Sequence, residues 1–304
     1  MKYLWFLVFA TQFLAGQNLV NNPSFEEFTQ CPTPNIFIGV TDWYVLPNHL
    51  GTPDYYNSCS THPLSSVPTN LLGTQIPYYG DAYIGVWCYN SSTENLREYV
   101  QTELQSSLIA GQTYYISFYV SLIDVAKYAV NNIGAALTID PLIGDNTLQN
   151  LNFIPQINSL EIISDKVNWT QISGVYQAIG GERFLTLGNF YTDEQTSKLY
   201  LDVPGEYNHS YYLIDNVTVS TSILSIEENQ INEKSILYPN PFNSELIFEL
   251  DDIQKIEIYS PSRLVRTING NVKSIDVADL ATGIYFIHIN TENNRKFIKK
   301  VIKE

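Results

Sequence analysis

The face of a pyranose ring is a flat array of C–H bonds. It stacks on an exposed aromatic side chain, with a few polar groups alongside to fix its orientation. The sequence offers three such sets in or beside loops. They are Trp43 and Tyr44 after Asp42, Tyr78 and Tyr79 ahead of Asp81, and Trp87 and Tyr89 followed by Arg97. Most aromatic side chains serve a core or anchor a loop, and neighbouring residues on a strand point to opposite faces. One member of each adjacent pair is therefore exposed on geometric grounds alone. Catalytic sets are harder to find. The sequence has no GxSxG, HExxH, GxGxxG or phosphate-binding loop. His49, His62, His209 and His288 are scattered, and His288 reads as structural. Glu98 with Glu103, and Asp193 with Glu194, read as solvated carboxylates. Lys127-Tyr128 would suit a polysaccharide lyase but has no distinguishing neighbours. Glycoside hydrolysis needs two carboxyl groups at a set distance across a cleft, which sequence spacing does not supply. A binding or structural role is favoured over an enzyme.

These residues have to be positioned by strands. The 304-residue chain has 22 Tyr and one Met, and only 15 % of its residues are charged. Tyr with Val, Ile, Thr and Phe suits pleated, half-buried strands, and no long stretch carries the apolar rhythm of a helix. An all-β protein is expected. In Tyr114–Ile123, Ile116, Phe118, Val120 and Leu122 alternate with Ser117, Tyr119 and Ser121, as a half-buried strand requires. Trp169–Phe190 reads as a hairpin about Gly180-Gly181, and Tyr211–Ser220 as a closing strand. Many short strands within residues 17–220 suggest a jelly-roll β-sandwich.

The net charge of −15 excludes a nucleic-acid surface, which needs a basic face. Residues 235–304 carry nine basic and nine acidic residues, so the excess belongs to the rest of the chain. That shift, with the polar stretch 221–234, divides the chain into a larger domain, a linker and a small β-rich unit. At the start, Lys2 precedes an apolar run over 3–15, too short to span a bilayer and of signal-peptide length. Cleavage is expected after Gly16, and no later segment is apolar and long enough to span. Cys31, Cys59 and Cys88 allow three pairings, and none has metal-ligand spacing.

Four stretches near the end occur in a recognisable order: LYPNPF (237–242), IEIYS (256–260), DLATGIYFIHI (279–289) and KFIKKVIK (296–303). They resemble the type A C-terminal sorting domain of the type IX secretion system. The resemblance implies a small Ig-like β-sandwich in which Pro239, Asn240, Pro241, Gly283 and Tyr285 belong to the sorting motif. It also implies two partners, the outer-membrane translocon and a sortase-like peptidase. The glycine common after the IEIY strand is replaced here by Ser260-Pro261-Ser262-Arg263.

The larger unit has its own recurring segments: NLVNNPSFEEF (18–28), GDAYIGV (80–86), REYVQTEL (97–104), Trp169–Ala178 and YYLIDNVTV (211–219). These resemble the galactose-binding-like jelly rolls of many carbohydrate-binding modules. More narrowly, NPSFEE with CP, PDYYNSCS and REYVQ resembles an uncharacterised group of bacterial surface proteins. In the carbohydrate-binding relatives a structural Ca²⁺ ties the first strand to the last, and the matching groups here are the Ser24 carbonyl, Glu26 and Asp215. A hard cation takes such oxygen ligands. The surface-protein resemblance includes Cys31 and Cys59 and implies that these two pair. The expectation is a secreted, cell-surface β-sandwich protein that binds a carbohydrate or cell surface without catalysis. The ligand-binding residues are expected among Trp43, Tyr44, Tyr78, Tyr79, Trp87, Tyr89 and Arg97. The alternatives are a small polysaccharide-acting enzyme and a purely structural envelope protein.

Overall fold

The computed structural model describes residues 17–33, 39–202, 207–221, 237–260, 263–292 and 296–304. The expected signal peptide (1–16), nearly all of the expected linker, and Pro261 and Ser262 lie outside them. The larger domain contains, in order, β1 (Trp43–Val45), β2 (Asp54–Asn57), β3 (Thr69–Asn70), β4 (Gly73–Thr74), β5 (Ala82–Asn90), β6 (Tyr99–Glu103), β7 (Thr113–Leu122), β8 (Tyr128–Val130), β9 (Ile133–Thr138), β10 (Ile157–Asn158), β11 (Thr170–Gln177), β12 (Phe184–Asn189), β13 (Lys198–Tyr200) and β14 (His209–Ser220). One five-stranded sheet runs β1-β6-β12-β9-β10 and the other β11-β7-β14-β5-β2. The chain passes repeatedly from one sheet to the other, from β5 to β6 to β7 and from β11 to β12 to β14. That wrapping is a jelly roll.

Alternation along the strands builds the core. Ile84 and Val86 of β5, Phe118 and Val120 of β7, and Tyr212 and Ile214 of β14 are fully buried. Val100, Leu185, Leu187 and Leu137 meet them from the other sheet. Each buried aliphatic side chain of this kind contributes roughly 1.5–3 kcal/mol. The two ends of the domain are stitched together. Leu19 N–H donates to Val219 O at 2.8 Å, and Val217 N–H to Pro23 O at 2.8 Å. The Asn18 side chain bridges Val217 and Val219.

The hairpin expected over Trp169–Phe190 is not formed. β11 pairs with β7, and β12 lies in the opposite sheet between β6 and β9. The cause lies in the burial pattern. β12 is buried along nearly its whole length and needs a partner on each side, whereas β11 leaves alternate residues exposed, as an edge strand can. Gly180 and Gly181, at φ +101° and +95°, carry the chain between sheets. Gly181 N–H donates to Leu108 O instead of closing a hairpin.

The C-terminal domain is an all-β unit with its own core. Its strands are β15 (Leu237–Tyr238), β16 (Glu245–Phe248), β17 (Ile253–Ser260), β18 (Arg263–Asn269), β19 (Ser274–Asp276), β20 (Gly283–Thr291) and β21 (Lys296–Lys303). They form sheets β15-β16-β19 and β18-β17-β20-β21 around Phe242, Phe248, Ile256, Ile287 and Val301.

Gly85 is a point of close approach. A Cβ built there would lie 2.3 Å from the Tyr211 ring. Gly85→Ala is expected to displace that ring and lower stability by roughly 1–3 kcal/mol, as overpacking does. A urea melt checks this; an unchanged midpoint would show that the ring is free to move.

Candidate functional site

β5 divides its side chains between two surfaces. Ala82, Ile84, Val86 and Cys88 point into the sandwich, and Tyr83, Gly85 and Trp87 point outward; a bulge after Trp87 sets Trp87 opposite Tyr211 but Tyr89 opposite the preceding Ser210, so Tyr89 turns to the other face. Tyr83 and Gly85 are roofed over, but Trp87 and Tyr89 stay partly exposed. Around them the fold assembles rings from distant segments. Trp87 packs on His209, which meets Tyr207 edge-on, with centroids 5.2 Å and 5.1 Å apart respectively. Tyr89 meets Tyr128 edge-on at 5.1 Å, and Tyr128 meets Tyr200 at 5.5 Å. The β8–β13 ribbon sets the last pair, since Tyr128 and Tyr200 are direct partners. Lys198 Nζ lies 5.1 Å from the Tyr89 centroid and donates to Asp193 O. Tyr200 is 56 % exposed, which makes it the open rim of the second of these two ring clusters.

The other expected aromatic residues lie elsewhere. Trp43 is a core residue: it packs on Phe25 at 5.0 Å, and its indole N–H donates to Asn22 O. Tyr44 sits on the other sheet, where burial and the Glu103 charge raise its hydroxyl to about 12. Tyr78 stacks flat on Tyr119 at 3.6 Å, and Tyr79 is exposed. Arg97 is fully buried and cannot face a ligand. Its guanidinium donates to the Leu96 and Tyr191 carbonyls and pairs with Asp193 at 2.9 Å. The expectations for Trp43 and Arg97 are thus corrected: one fills the core and the other braces loops. Asp42 and Asp81 are exposed. A notch under residues 70–75, lined by Tyr83, Asp124 and Lys166, has a volume of about 10 Å³. That is room for a water rather than a sugar ring.

Sequence reasoning missed Tyr200 and Tyr207, and gave His209 and Tyr128 no part in a ring surface. No local signal marks them, because β5, β8, β13 and β14 are brought together only by the fold. It also missed an acidic network behind Trp87. Glu98, expected to be solvated, is 4 % exposed. Its carboxyl accepts from Thr52 N–H at 2.8 Å and from Trp87 N–H at 3.1 Å. Burial, then the nearby Asp54 charge, raises it to about 7. Asp54 accepts from the Tyr211 hydroxyl at 2.7 Å, and its own carboxyl is raised by burial. The Tyr56 and Tyr211 hydroxyls are 3.1 Å apart.

Glu26 and Asp215 grip one loop. Glu26 accepts from the Asp81 and Ala82 amides, and Asp215 from the Tyr79 and Asn216 amides. Asp215 is fully buried and held well above the usual carboxylate range by burial, with Glu26 adding to the effect. Segment 22–25, with the buried Ser24, lies against this point through the Val217–Pro23 bond. Among the described residues, no three His, Cys, Asp or Glu side chains gather as a metal site. A cation here would have to lean on carbonyl oxygens. Cys31 and Cys59 form a disulfide with Cα atoms 5.9 Å apart. Cys88 is a buried thiol pushed up to about 12 by burial.

In the C-terminal domain the residues of the sorting motif hold the last strand. Asn240 Oδ1 accepts from Ile302 N–H, and Phe242 exchanges backbone bonds with Ile302 and Glu304 around the Pro241 segment. Pro239 ends β15 after Tyr238, and Gly283 opens β20 at φ +154°. The Tyr285 hydroxyl donates to Ala281 O. His288 packs on Tyr259 at 4.6 Å.

A buried carboxyl raised from 4.5 to about 7 holds its proton in the folded state after the unfolded chain has released it. The stability this group contributes therefore falls as pH rises from about 4.5 to about 7 and is flat above. The Glu98 contribution to that fall is about 3 kcal/mol. Denaturant midpoints at pH 5 and 8 check it. Glu98→Gln should flatten the difference, and an equal slope in the variant would assign it to other groups.

Comparison with known proteins adds the following. Residues 236–304 match the family described as "Secretion system C-terminal sorting domain". No curated protein sequence matches the chain. Among solved structures, the chain is similar to the CBM22-1 xylan-binding domain of Paenibacillus barcinonensis Xyn10C. Identity is 15 %, coverage is 68 % of this chain and 95 % of that one, and the TM-score is 0.37. It is also similar to a putative sugar binding protein from Bacteroides thetaiotaomicron VPI-5482. There identity is 11 %, coverage is 68 % and 100 %, and the TM-score is 0.35. The jelly-roll fold itself is read from the strand order. The C-terminal 69 residues are a type IX sorting domain, and the protein that carries them is one destined for secretion.

Proposed function

We propose that the larger domain is a non-catalytic glycan-binding module delivered to the outer face of the outer membrane. The observation that carries this reading is the pair of ring clusters at the end of β5, Trp87 with His209 and Tyr207, and Tyr89 with Tyr128 and Tyr200. Both are partly exposed and held by ring-to-ring contacts, so their rings lose little freedom when a sugar stacks on them. Lys198 beside Tyr89 can donate to a sugar hydroxyl. A non-catalytic role is supported by the state of Glu98, whose two oxygens are both engaged by backbone amides. Export would begin with the apolar N-terminal stretch. It would finish through the outer-membrane translocon, with a sortase-like peptidase removing residues 235–304.

The test is retention on a panel of immobilised plant and bacterial polysaccharides. The protein should be retained by at least one, and Trp87→Ala and Tyr89→Ala should each weaken that retention about tenfold, the equivalent of ~1.4 kcal/mol. Unaltered retention in both variants would overturn the assignment of the surface. Turnover of a retained polysaccharide would favour the enzymatic alternative.

A structural Ca²⁺ belongs to the same reading. The Glu26 and Asp215 carboxylates and the Ser24 carbonyl come from opposite ends of the domain, and Asp215 is buried beside a second acid. That donor chemistry suits a hard cation, which would neutralise the pair and pin the first segment to β14. With Ca²⁺ present, the melting temperature should exceed that in EDTA by roughly 5 °C, and Asp215→Asn should abolish the difference. Identical melting in EDTA and Ca²⁺ would count against the site.

A further inference from the structure

The outward faces of the two large sheets are not equally closed. On the sheet of β1, β6, β12, β9 and β10, Leu142, Leu151 and Phe153 of the segment after β9 pack on Tyr99 and Phe190. Gln101 and Leu142 exchange two hydrogen bonds on the same face. On the other sheet Trp169, Tyr56 and Tyr211 roof the middle, at Tyr83 and Gly85. The half built by β7 and β11 is left open. Gln171, Ser173, Val175 and Gln177 of β11 are exposed there, Val175 to 70 %.

The chemistry of this half is unlike that of its surroundings. The chain's net charge of −15 falls outside residues 235–304, yet neither β7 nor β11 contains a charged residue. The outward cross-strand partners are Tyr119 with Gln171, Ser117 with Ser173 and Tyr115 with Val175. The Gln171 side-chain amide donates to the Tyr115 hydroxyl at 3.4 Å. Gln171 is level with Tyr119, so its backbone and that of Tyr115 are about 13 Å apart along the strands. Side chains that stood straight off the sheet would not meet over that span. Both therefore lie along it, and the Tyr115 ring is laid down across the level of Ser117, which is buried although it points outward. Beyond it, Tyr78 stacks on Tyr119 at 3.6 Å with the ring planes 16° apart. The strip thus runs from a flat ring through hydroxyl and amide groups to a second pair of rings.

We propose that the outward face of β7 and β11 is a second carbohydrate-binding surface, for an extended, uncharged polysaccharide lying along the strands. It extends the glycan-binding role proposed above to a separate site and does not depend on the ring clusters of β5. β14 pairs Ser220 with Tyr115 and Tyr211 with Trp87, which sets the two sites about 30 Å apart.

The occupant follows from what the face can satisfy. A ring laid flat offers its π face to the C–H face of a pyranose. The Ser and Gln side chains beside it both donate and accept, as sugar hydroxyls require. A charged polysaccharide or a phosphate backbone would find no counter-charge on either strand. A second copy of this chain would meet a single large exposed apolar side chain of these strands, Val175, where the centre of a protein interface is apolar.

The test is adsorption of the full chain to three insoluble neutral polysaccharides, cellulose, chitin and mannan. At least one should bind it, and binding should be indifferent to added salt, because no ion pair is involved. Ser173→Glu and Val175→Lys place opposite charges at exposed positions of an edge strand, and each should weaken adsorption about tenfold. Tyr115→Ala should do the same. The proposal is overturned if none of the three polysaccharides binds, or if both charged variants adsorb as the native protein does. It is also overturned if the native protein self-associates and Val175→Lys makes it monomeric, since a second copy would then occupy the face. Trp87→Ala judges the ring clusters separately. Adsorption that falls with Ser173→Glu and not with Trp87→Ala keeps this surface and refutes that one, and the reverse pattern refutes this one alone.

Discussion

Successive side chains on a strand must point to opposite faces, and β5 is where that constraint matters most. Its inward residues, Ala82, Ile84, Val86 and Cys88, sit at the centre of the sandwich. Its outward residues cannot avoid the other surface. Nature of side chain and depth of cover then decide what that surface becomes. At Tyr83 and Gly85 it is roofed by Trp169, Tyr56 and Tyr211. At Trp87 it stays open and gathers His209 and Tyr207, and past the bulge Tyr89 gathers Tyr128 and Tyr200 on the other face. The same nine residues thus hold the core together and present the platform, so neither can be altered independently. Moving the register by one residue would bury Trp87 and expose Val86.

The polar interior follows from the same geometry. A jelly roll whose outward face is roofed in part must bury the polar groups under the roof, and the acids there find partners. Tyr211 reaches Asp54, Glu98 takes two amides, and Asp215 takes the amides of Tyr79 and Asn216. What the interior lacks is positive charge. Of the few basic residues in this domain, Arg97 is the one fully buried, and it serves Asp193. The cost of an acidic domain therefore falls on the buried carboxyl groups of Glu26, Asp54, Glu98 and Asp215, which keep their protons to higher pH than ordinary ones. This makes stability sensitive to pH, and it makes a cation at Glu26 and Asp215 chemically reasonable.

Much of the fold was legible because its signals are local. The alternation of Ile116 to Leu122 names β7, the end of the larger domain is marked by YYLIDNVTV, and four short segments identify the sorting domain. The disulfide followed from a resemblance and not from spacing, which left three pairings open. The site was legible only in part, because burial is not local. Trp43 and Trp87 look alike in sequence, each beside polar residues and near a loop, yet one packs on Phe25 and the other on the surface. Arg97 looked available because nothing nearby in sequence announced Asp193. The false hairpin shows the same limit: Gly180-Gly181 does turn the chain, but which strands flank it in space was decided by the burial demands of β12.

The central claim, that the ring clusters at the end of β5 are where a glycan is held, is tested most directly by mapping the contact. A retained polysaccharide fragment would be titrated into the labelled protein while aromatic and indole resonances are recorded. The account predicts shifts gathered at Trp87, Tyr89, Tyr128 and Tyr200, with Trp43 and Tyr44 unmoved. Shifts gathered instead at Tyr44 on the other sheet, or at Tyr79 with Trp87 silent, would contradict it.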